Sequence, residues 1–276
     1  MEKIIIADSS CELNKELKDK INLKSIPFSV EVDGKVFIVG DDFNQQSFVK
    51  EMANSSNAPT TAAPSPNLFL EAFEEGKENF VITLSSKLSA THNNAVLARD
   101  IFLENNEAKI HIFDSKSASS GETLIAVKLQ ECIDNEMSFE EIVEEVENFI
   151  QNMKTYFILD NFDNLIKNGR MSKFTGAIAT ALSFRPIMGA EDGKIRLFEK
   201  TRGFNKALVK LKDMVVREKD SYRNDTFIIT HCDAEKRAND LKSLIEENCD
   251  FKDVQIVKTG LLSSVYANGG GIVVAF

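Results

Sequence analysis

"FVITLSSKLSATHNNAVLARDIF", Phe80–Phe102, joins an apolar run to a helix-like stretch through a loop rich in hydroxyls. Ser85, Ser86, Ser89 and Thr91 lie in or beside that loop, and His92 follows them. A strand feeding a helix through such a loop brings hydroxyls and unpaired backbone N–H groups together at the helix N-terminus, which is a general anion site. The anion can be a phosphate, a substrate carboxylate or an oxyanion under attack. Ser and Thr are also the preferred N-caps of any helix, so the loop alone does not choose.

Outward from this stretch, short apolar runs alternate with helical patterns, which predicts an α/β protein. The expected strands are "KIIIA", "FVITL", "KIHIF", "YFIL", "TFIIT", "VQIV" and the terminal "GIVVAF". The best-marked helix is "SFEEIVEEVENFIQN", where Ser138 and Glu141 have capping-box spacing. Phe139, Ile142, Val143, Val146, Phe149 and Ile150 form its core-facing stripe.

Two further strands end as the first one does. "IIIADSSCEL" places Asp8, Ser9 and Ser10 after a strand, and "IHIFDSKSASSGETL" places Asp114, Ser115, Ser117, Ser119 and Ser120 after another. Ligands of open α/β sheets bind at the carboxyl ends of strands, so three such ends predict one hydroxyl-lined crevice. The segment "ANSSNAPTTAAPSPN", Ala53–Asn67, has no periodicity and reads as a functional loop.

The pattern changes near Met153. Beyond it come a turn at Gly169, an apolar small-residue helix from Phe174 to about Ser183, and an "EDGK" turn into the alternating strand "KIRLFEK". A boundary at residues 151–155 is expected, dividing the chain into 1–152, a parallel-sheet α/β domain, and 153–276, a mixed-sheet α/β domain.

Composition narrows the function. The 276 residues carry a formal charge of −10, which argues against nucleic acid and anionic membrane surfaces as main partners. The opening "MEKIIIADSS" lacks a signal-peptide core and no run approaches a membrane span, so a cytoplasmic location is expected. Cys11, Cys132, Cys232 and Cys249 show no metal-type spacing, and the three histidines are scattered, so neither a metal nor a cofactor is expected. Twenty phenylalanines and no tryptophan point first to a Phe-rich core and second to an apolar cavity.

Of the possible chemistries, hydrolysis through Asp8, Ser89 and His231 lacks any element that fixes the nucleophile. GxxxxGK[ST] and GxGxxG are both absent. A phosphosugar binder or isomerase using the Ser-rich loops competes with a carboxylate binder. "KFTGAIATALSF" suits an acyl chain or plain core packing equally.

Several segments together resemble the DegV family of bacterial fatty-acid-binding proteins. "TAAPSP" is similar to its TSQPS-type loop, with Ala62 and Ala63 for Ser and Gln, and "LSSKLSATHNNA" to its LSGTYQSA-type motif, with Ala90 for Gly and His92 for Tyr. "FDSKSASSG", "LIKNGRMS" and "KTRGFNKAL" follow the family pattern in the same order across the chain. The resemblance implies a long-chain fatty acid, palmitate- or oleate-like, bound between two domains. Its carboxylate would be held by Thr61 and Ser89, with Ser115, Arg170, Phe174, Ile178 and Leu182 as further contacts. It also implies a protein without catalysis of its own that presents the fatty acid to a fatty-acid kinase, with Arg202 in partner recognition. A monomer is expected. One departure stands out: the family's HTGPG-type histidine is replaced by Tyr266 in "SSVYANGGGIVVAF". A phenol still donates to a carboxylate but carries no cation.

Overall fold

The computed structural model describes residues 1–39, 43–172, 184–218 and 225–276. Strands β1 (Lys3–Asp8) and β6 (Glu78–Thr83) are buried along nearly their whole length, as the centre of a parallel sheet covered on both faces requires. β2 (Leu23–Ile26) and β7 (Lys109–Asp114) flank them in the order β2-β1-β6-β7, all parallel. Helix α4 (Thr91–Leu103) makes the crossover from β6 to β7.

A six-stranded sheet follows Met153 in the chain. It comprises β8 (Thr155–Ile158), β9 (Phe184–Glu191), β10 (Lys194–Arg202), β11 (Thr226–His231), β12 (Asp253–Lys258) and β13 (Ile272–Ala275), in the order β10-β9-β8-β13-β11-β12. β11 and β12 pair in parallel and the other neighbours antiparallel, so the sheet is mixed. The expected "EDGK" turn joins β9 to β10, with Asp192 and Gly193 at φ 49° and 74°. Those angles match a two-residue hairpin turn of the I′ type.

Helix α5 (Ser120–Asp134) packs on both β1 and β6 of the first sheet and on β11 and β13 of the second. One hydrophobic cluster therefore joins Phe80 and Phe113 to Ile228, Val257 and Ala275. Helix α6 (Phe139–Asn152) closes this cluster with Ile142, Val146 and Ile150, all buried. Its capping box forms as expected: Glu141 N–H donates to Ser138 Oγ at 3.4 Å, and Ser138 N–H donates to Glu141 Oε2 at 2.8 Å. Phe80 stacks against Phe113 and Phe139, so part of the phenylalanine content is core.

A third sheet differs from the expectation. β3 (Ser29–Val32), β4 (Lys35–Ile38) and β5 (Thr60–Ala62) pair antiparallel in the order β4-β3-β5. The segment Ala53–Asn67, expected as a loop, contains β5 and leads at Pro66 into α3 (Pro66–Ala72). Three residues are too few for periodicity, and the partner of β5 lies thirty residues upstream, with Val30 opposite Thr61. Helix α2 (Gln45–Asn54) packs Phe48 and Met52 against this sheet. The helix expected from Phe174 to Ser183, with Phe174, Ile178 and Leu182, lies outside the described residues.

Candidate functional site

Because β1, β6 and β7 are adjacent and parallel, their three polar carboxyl ends lie side by side. Asp8 Oδ2 accepts from Leu84 N–H at 2.6 Å, and Ser86 N–H donates to Asp114 Oδ1 at 3.1 Å. The three polar strand ends expected to share one crevice thus adjoin, and the loop after β6 lies between the other two.

A cavity of about 340 Å³ opens beside these loops. Phe28, Leu84, Leu88, Phe157, Leu165 and Leu262 supply much of its apolar wall. Thr61, Ser89, Arg170 and Tyr266, all half-buried, also line it. Tyr266 is carried by the short helix α10 (Leu261–Ala267), which follows α7 (Asp163–Lys167), α8 (Phe204–Arg217) and α9 (Glu235–Asn248) in chain order.

Hydrogen bonds tie the polar side of the cavity together. Thr61 Oγ1 and Tyr266 OH stand 2.9 Å apart, and Ser89 Oγ and Thr91 Oγ1 2.7 Å apart. Each such pair holds two hydroxyl protons and uses one internally, so each keeps one proton to donate to a ligand oxygen. Arg170 Nε donates to Leu88 O at 3.2 Å and its Nη1 to Asn168 O at 2.6 Å, which ties the Ser89 loop to the end of α7. Gly169, at φ 74°, makes the turn that aims Arg170 there. Asn168 Nδ2 donates to Pro59 O at 3.0 Å, and Asn94 Nδ2 to Pro64 O at 2.8 Å, clamping the Thr61 strand from both ends. Sequence reasoning missed Asn94 and Asn168. Both lie within motifs it quoted, but an amide's partner in a distant loop has no local signal.

Other expected residues lie elsewhere. Ser115 is fully buried and does not line the cavity: its hydroxyl donates to Ser117 O at 3.1 Å and accepts from Ser117 N–H at 3.1 Å, a local turn. Arg202 is exposed at the end of β10, with its guanidinium 5.1 Å from the Phe184 ring centroid, away from the cavity wall. Ser85 is spent on structure, donating to Gly193 O at 2.8 Å across to the β9–β10 turn. The Asp8, Ser89 and His231 arrangement is not assembled. His231 Nδ1 accepts from Ala234 N–H at 3.1 Å and lines a separate groove, while Ser89 pairs with Thr91. Asp8 is occupied by Leu84 and Ser10.

Behind the cavity wall lies a group of buried acids: Asp8, Glu12 and Glu122. Ser10 Oγ is within reach of Asp8 Oδ1 at 2.7 Å and also meets Glu122 Oε1. One hydroxyl proton cannot serve both carboxylates, so this geometry calls for a proton on one of the acids. Glu122 Oε2 has no hydrogen-bond partner, as a neutral buried acid tolerates better than a carboxylate. Burial drives the Glu122 carboxyl well above the ordinary range, and the nearby Asp8 charge adds to this. Burial also raises Asp8, with hydrogen bonds from Leu84 and Ser10 opposing it. Burial pushes Glu12 up to about 7 against hydrogen bonds from Ser263, Gly260 and Ser119. These acids draw the hydroxyls of Ser10, Ser119 and Ser263, which line the cavity, into contacts behind its wall.

Comparison with known proteins accords with this architecture. The DegV family model ("Uncharacterised protein, DegV family") matches residues 3–276. A DegV domain-containing protein of Streptococcus pneumoniae is 34% identical over 276 residues, covering 99% of this chain and 98% of the relative. Among solved structures, a DegV family protein from Ruminococcus gnavus with vaccenic acid is 37% identical with a TM-score of 0.93, covering 99% of both chains. The Streptococcus pneumoniae Fatty Acid Kinase (Fak) B3 protein loaded with linoleic acid is 32% identical with a TM-score of 0.91, covering 100% of this chain and 99% of that one. The match of sequence and fold runs the whole length of the protein: the chain belongs to the DegV family.

Proposed function

We propose that the protein binds a long-chain fatty acid in the 340 Å³ cavity and presents its carboxyl group to a fatty-acid kinase. The observation that carries this reading is an apolar cavity with three hydroxyls in its wall, Thr61 and Tyr266 paired with each other and Ser89 paired with the buried Thr91 behind it. Each pair donates one proton to a carboxylate oxygen, and the Arg170 guanidinium beside them opposes the ligand's charge. Burying about fourteen methylenes is worth on the order of 11 kcal/mol gross, less the costs of ordering and immobilisation. The hydroxyls add about 1–3 kcal/mol. The tail supplies affinity and the hydroxyls supply direction, which makes Ser89 a donor and leaves acyl phosphorylation to the kinase. Vaccenic and linoleic acid in the related structures, and the kinase named for one of them, support the ligand class and the partner.

Denaturing the purified protein, extracting it with organic solvent and weighing the extract by mass spectrometry tests the reading. A stoichiometric fatty acid is the expected result. An empty extract, from protein that also fails to take up palmitate or oleate, overturns it. Thermal protection by sugar phosphates in place of fatty acids would mark the phosphosugar alternative.

A further inference from the structure

Helix α7 has only five residues, yet the side chains on it and just after it reach three separate parts of the chain. Asn164 Nδ2 donates to Val265 O at 2.7 Å. Asn168 Nδ2, at the end of the helix, donates to Pro59 O at 3.0 Å. Arg170 Nε, beyond the Gly169 turn, donates to Leu88 O at 3.2 Å. Each of these carbonyls lies one or two residues before a hydroxyl in the cavity wall: Val265 before Tyr266, Pro59 before Thr61 and Leu88 before Ser89. Leu165, between the two asparagines, lines the cavity itself.

The holds fall where the local backbone has little else to fix it. Val265 is among the last four carbonyls of the two-turn helix α10, which lack partners within a helix. That helix ends at Asn268, with φ 52°, and Asn164 Nδ2 also meets Asn268 Oδ1 at 3.3 Å. β5 is an edge strand of three residues, paired with β3 on one side, so a side chain at its start fixes where Thr61 stands. The α7 segment is itself well tied. Asn168 N–H donates to Asn164 O at 3.1 Å, and Arg170 and Met171 N–H both donate to Leu165 O, at 2.8 and 3.0 Å. Phe162, Leu165 and Met171 are all buried in one apolar cluster. An O–H···O bond is effective only over about 2.5–3.0 Å, so three hydroxyls serve one carboxylate only if their segments are held in fixed relation.

We propose that Asn164 and Asn168 are positioning residues for the head-group site, and that α7 through Arg170 is one rigid bracket setting the spacing of the Tyr266, Thr61 and Ser89 hydroxyls. This inference rests on the fatty-acid reading above.

The test measures palmitate affinity of the delipidated protein by titration calorimetry in two double-mutant cycles. One cycle combines Asn168→Ala with Thr61→Val, and the other Asn164→Ala with Tyr266→Phe. Ser89→Ala is the control background, because neither asparagine holds the Ser89 loop. A positioning residue costs no more than the donor it places, about fivefold. Each asparagine variant is therefore expected to weaken binding by about threefold in the wild-type background. Asn168→Ala is expected to add nothing once Thr61 has lost its hydroxyl, and Asn164→Ala nothing once Tyr266 has lost its own. In the Ser89→Ala background both losses are expected to persist in full. A loss of the same size in every background marks a merely structural role and overturns the proposal, as does no loss in wild type. With carboxyl-labelled palmitate, the carbon resonance of the bound head group is expected to move in Asn168→Ala, and an unmoved resonance overturns the proposal as well. Should Asn164→Ala fail to fold, the Asn168 cycle decides, since that side chain is half-buried at the end of the helix. Absence of palmitate binding by wild type overturns the fatty-acid reading itself, and this inference with it.

Discussion

Tyr266 occupies the position where the resemblance led us to expect histidine, and its phenol stands 2.9 Å from Thr61 Oγ1. A phenol donates without carrying a cation, so the proposed head-group site has two hydroxyl pairs and a guanidinium where an imidazole would otherwise contribute. Removing one neutral donor costs about 1 kcal/mol, a factor of about five in affinity. Ser89→Ala is expected to weaken palmitate binding by that amount and to leave the unfolding midpoint within about 2 °C of wild type. Titration calorimetry and thermal unfolding check both halves. A complete loss of binding would mean that Ser89 does more than donate.

Among the elements, α6 and the β9–β10 hairpin are legible for different reasons. Ser138 and Glu141 cap α6 on the surface, and neither lines the cavity. Ser138→Ala is expected to cost about 1 kcal/mol of stability with fatty-acid affinity unchanged, as measured by urea unfolding and calorimetry. Gly193 is a sharper case. Its φ of 74° disfavours any side chain, and an added Cβ would stand 2.5 Å from Ser85 Oγ. Gly193→Ala is therefore expected to cost about 1–2 kcal/mol from left-handed backbone strain, and to break the Ser85–Gly193 bond that joins the Ser89 loop to the second sheet. Urea unfolding reads the first effect, and weaker palmitate binding than Ser138→Ala shows reads the second.

For the whole molecule, the buried acids set an unusual pH dependence. Asp8, Glu12 and Glu122 all keep their protons to higher pH in the folded protein than in the unfolded chain. Their contribution to stability is fully present below about pH 4, and Glu12's share is lost as the pH rises through about 7. The shift of Glu12 from 4.5 to about 7 corresponds to roughly 3 kcal/mol. Urea midpoints at several pH values are expected to fall between about pH 4.5 and pH 7, and Glu12→Gln is expected to flatten much of that slope. A wild-type midpoint that climbs steadily over this interval would contradict the assignment.

Local chemistry was enough to read the α/β alternation, the capping box of α6, the "EDGK" hairpin and the three polar strand ends. Each rests on residues within a few positions of one another, where periodicity, turn preference and cap spacing act directly. The motifs that name Thr61, Ser89 and Tyr266 were equally local. Tertiary structure decided what those motifs touch. Thr61 meets Tyr266 from 205 residues away, and Glu12 accepts from Gly260 N–H, 248 residues downstream. β5 exists because Val30 offers an edge opposite Thr61, and its three residues carry no periodic signal of their own. The terminal strand β13 reads as a strand anywhere, but its place between β8 and β11 comes from hydrogen bonds to strands on either side of it in space. The same separation hid the buried acids. Asp8 ends a strand, Glu12 follows in the loop and Glu122 lies in the first turn of a helix, ordinary places for solvated acids, and only the packing of α5 between two sheets removes them from water and makes their protons matter.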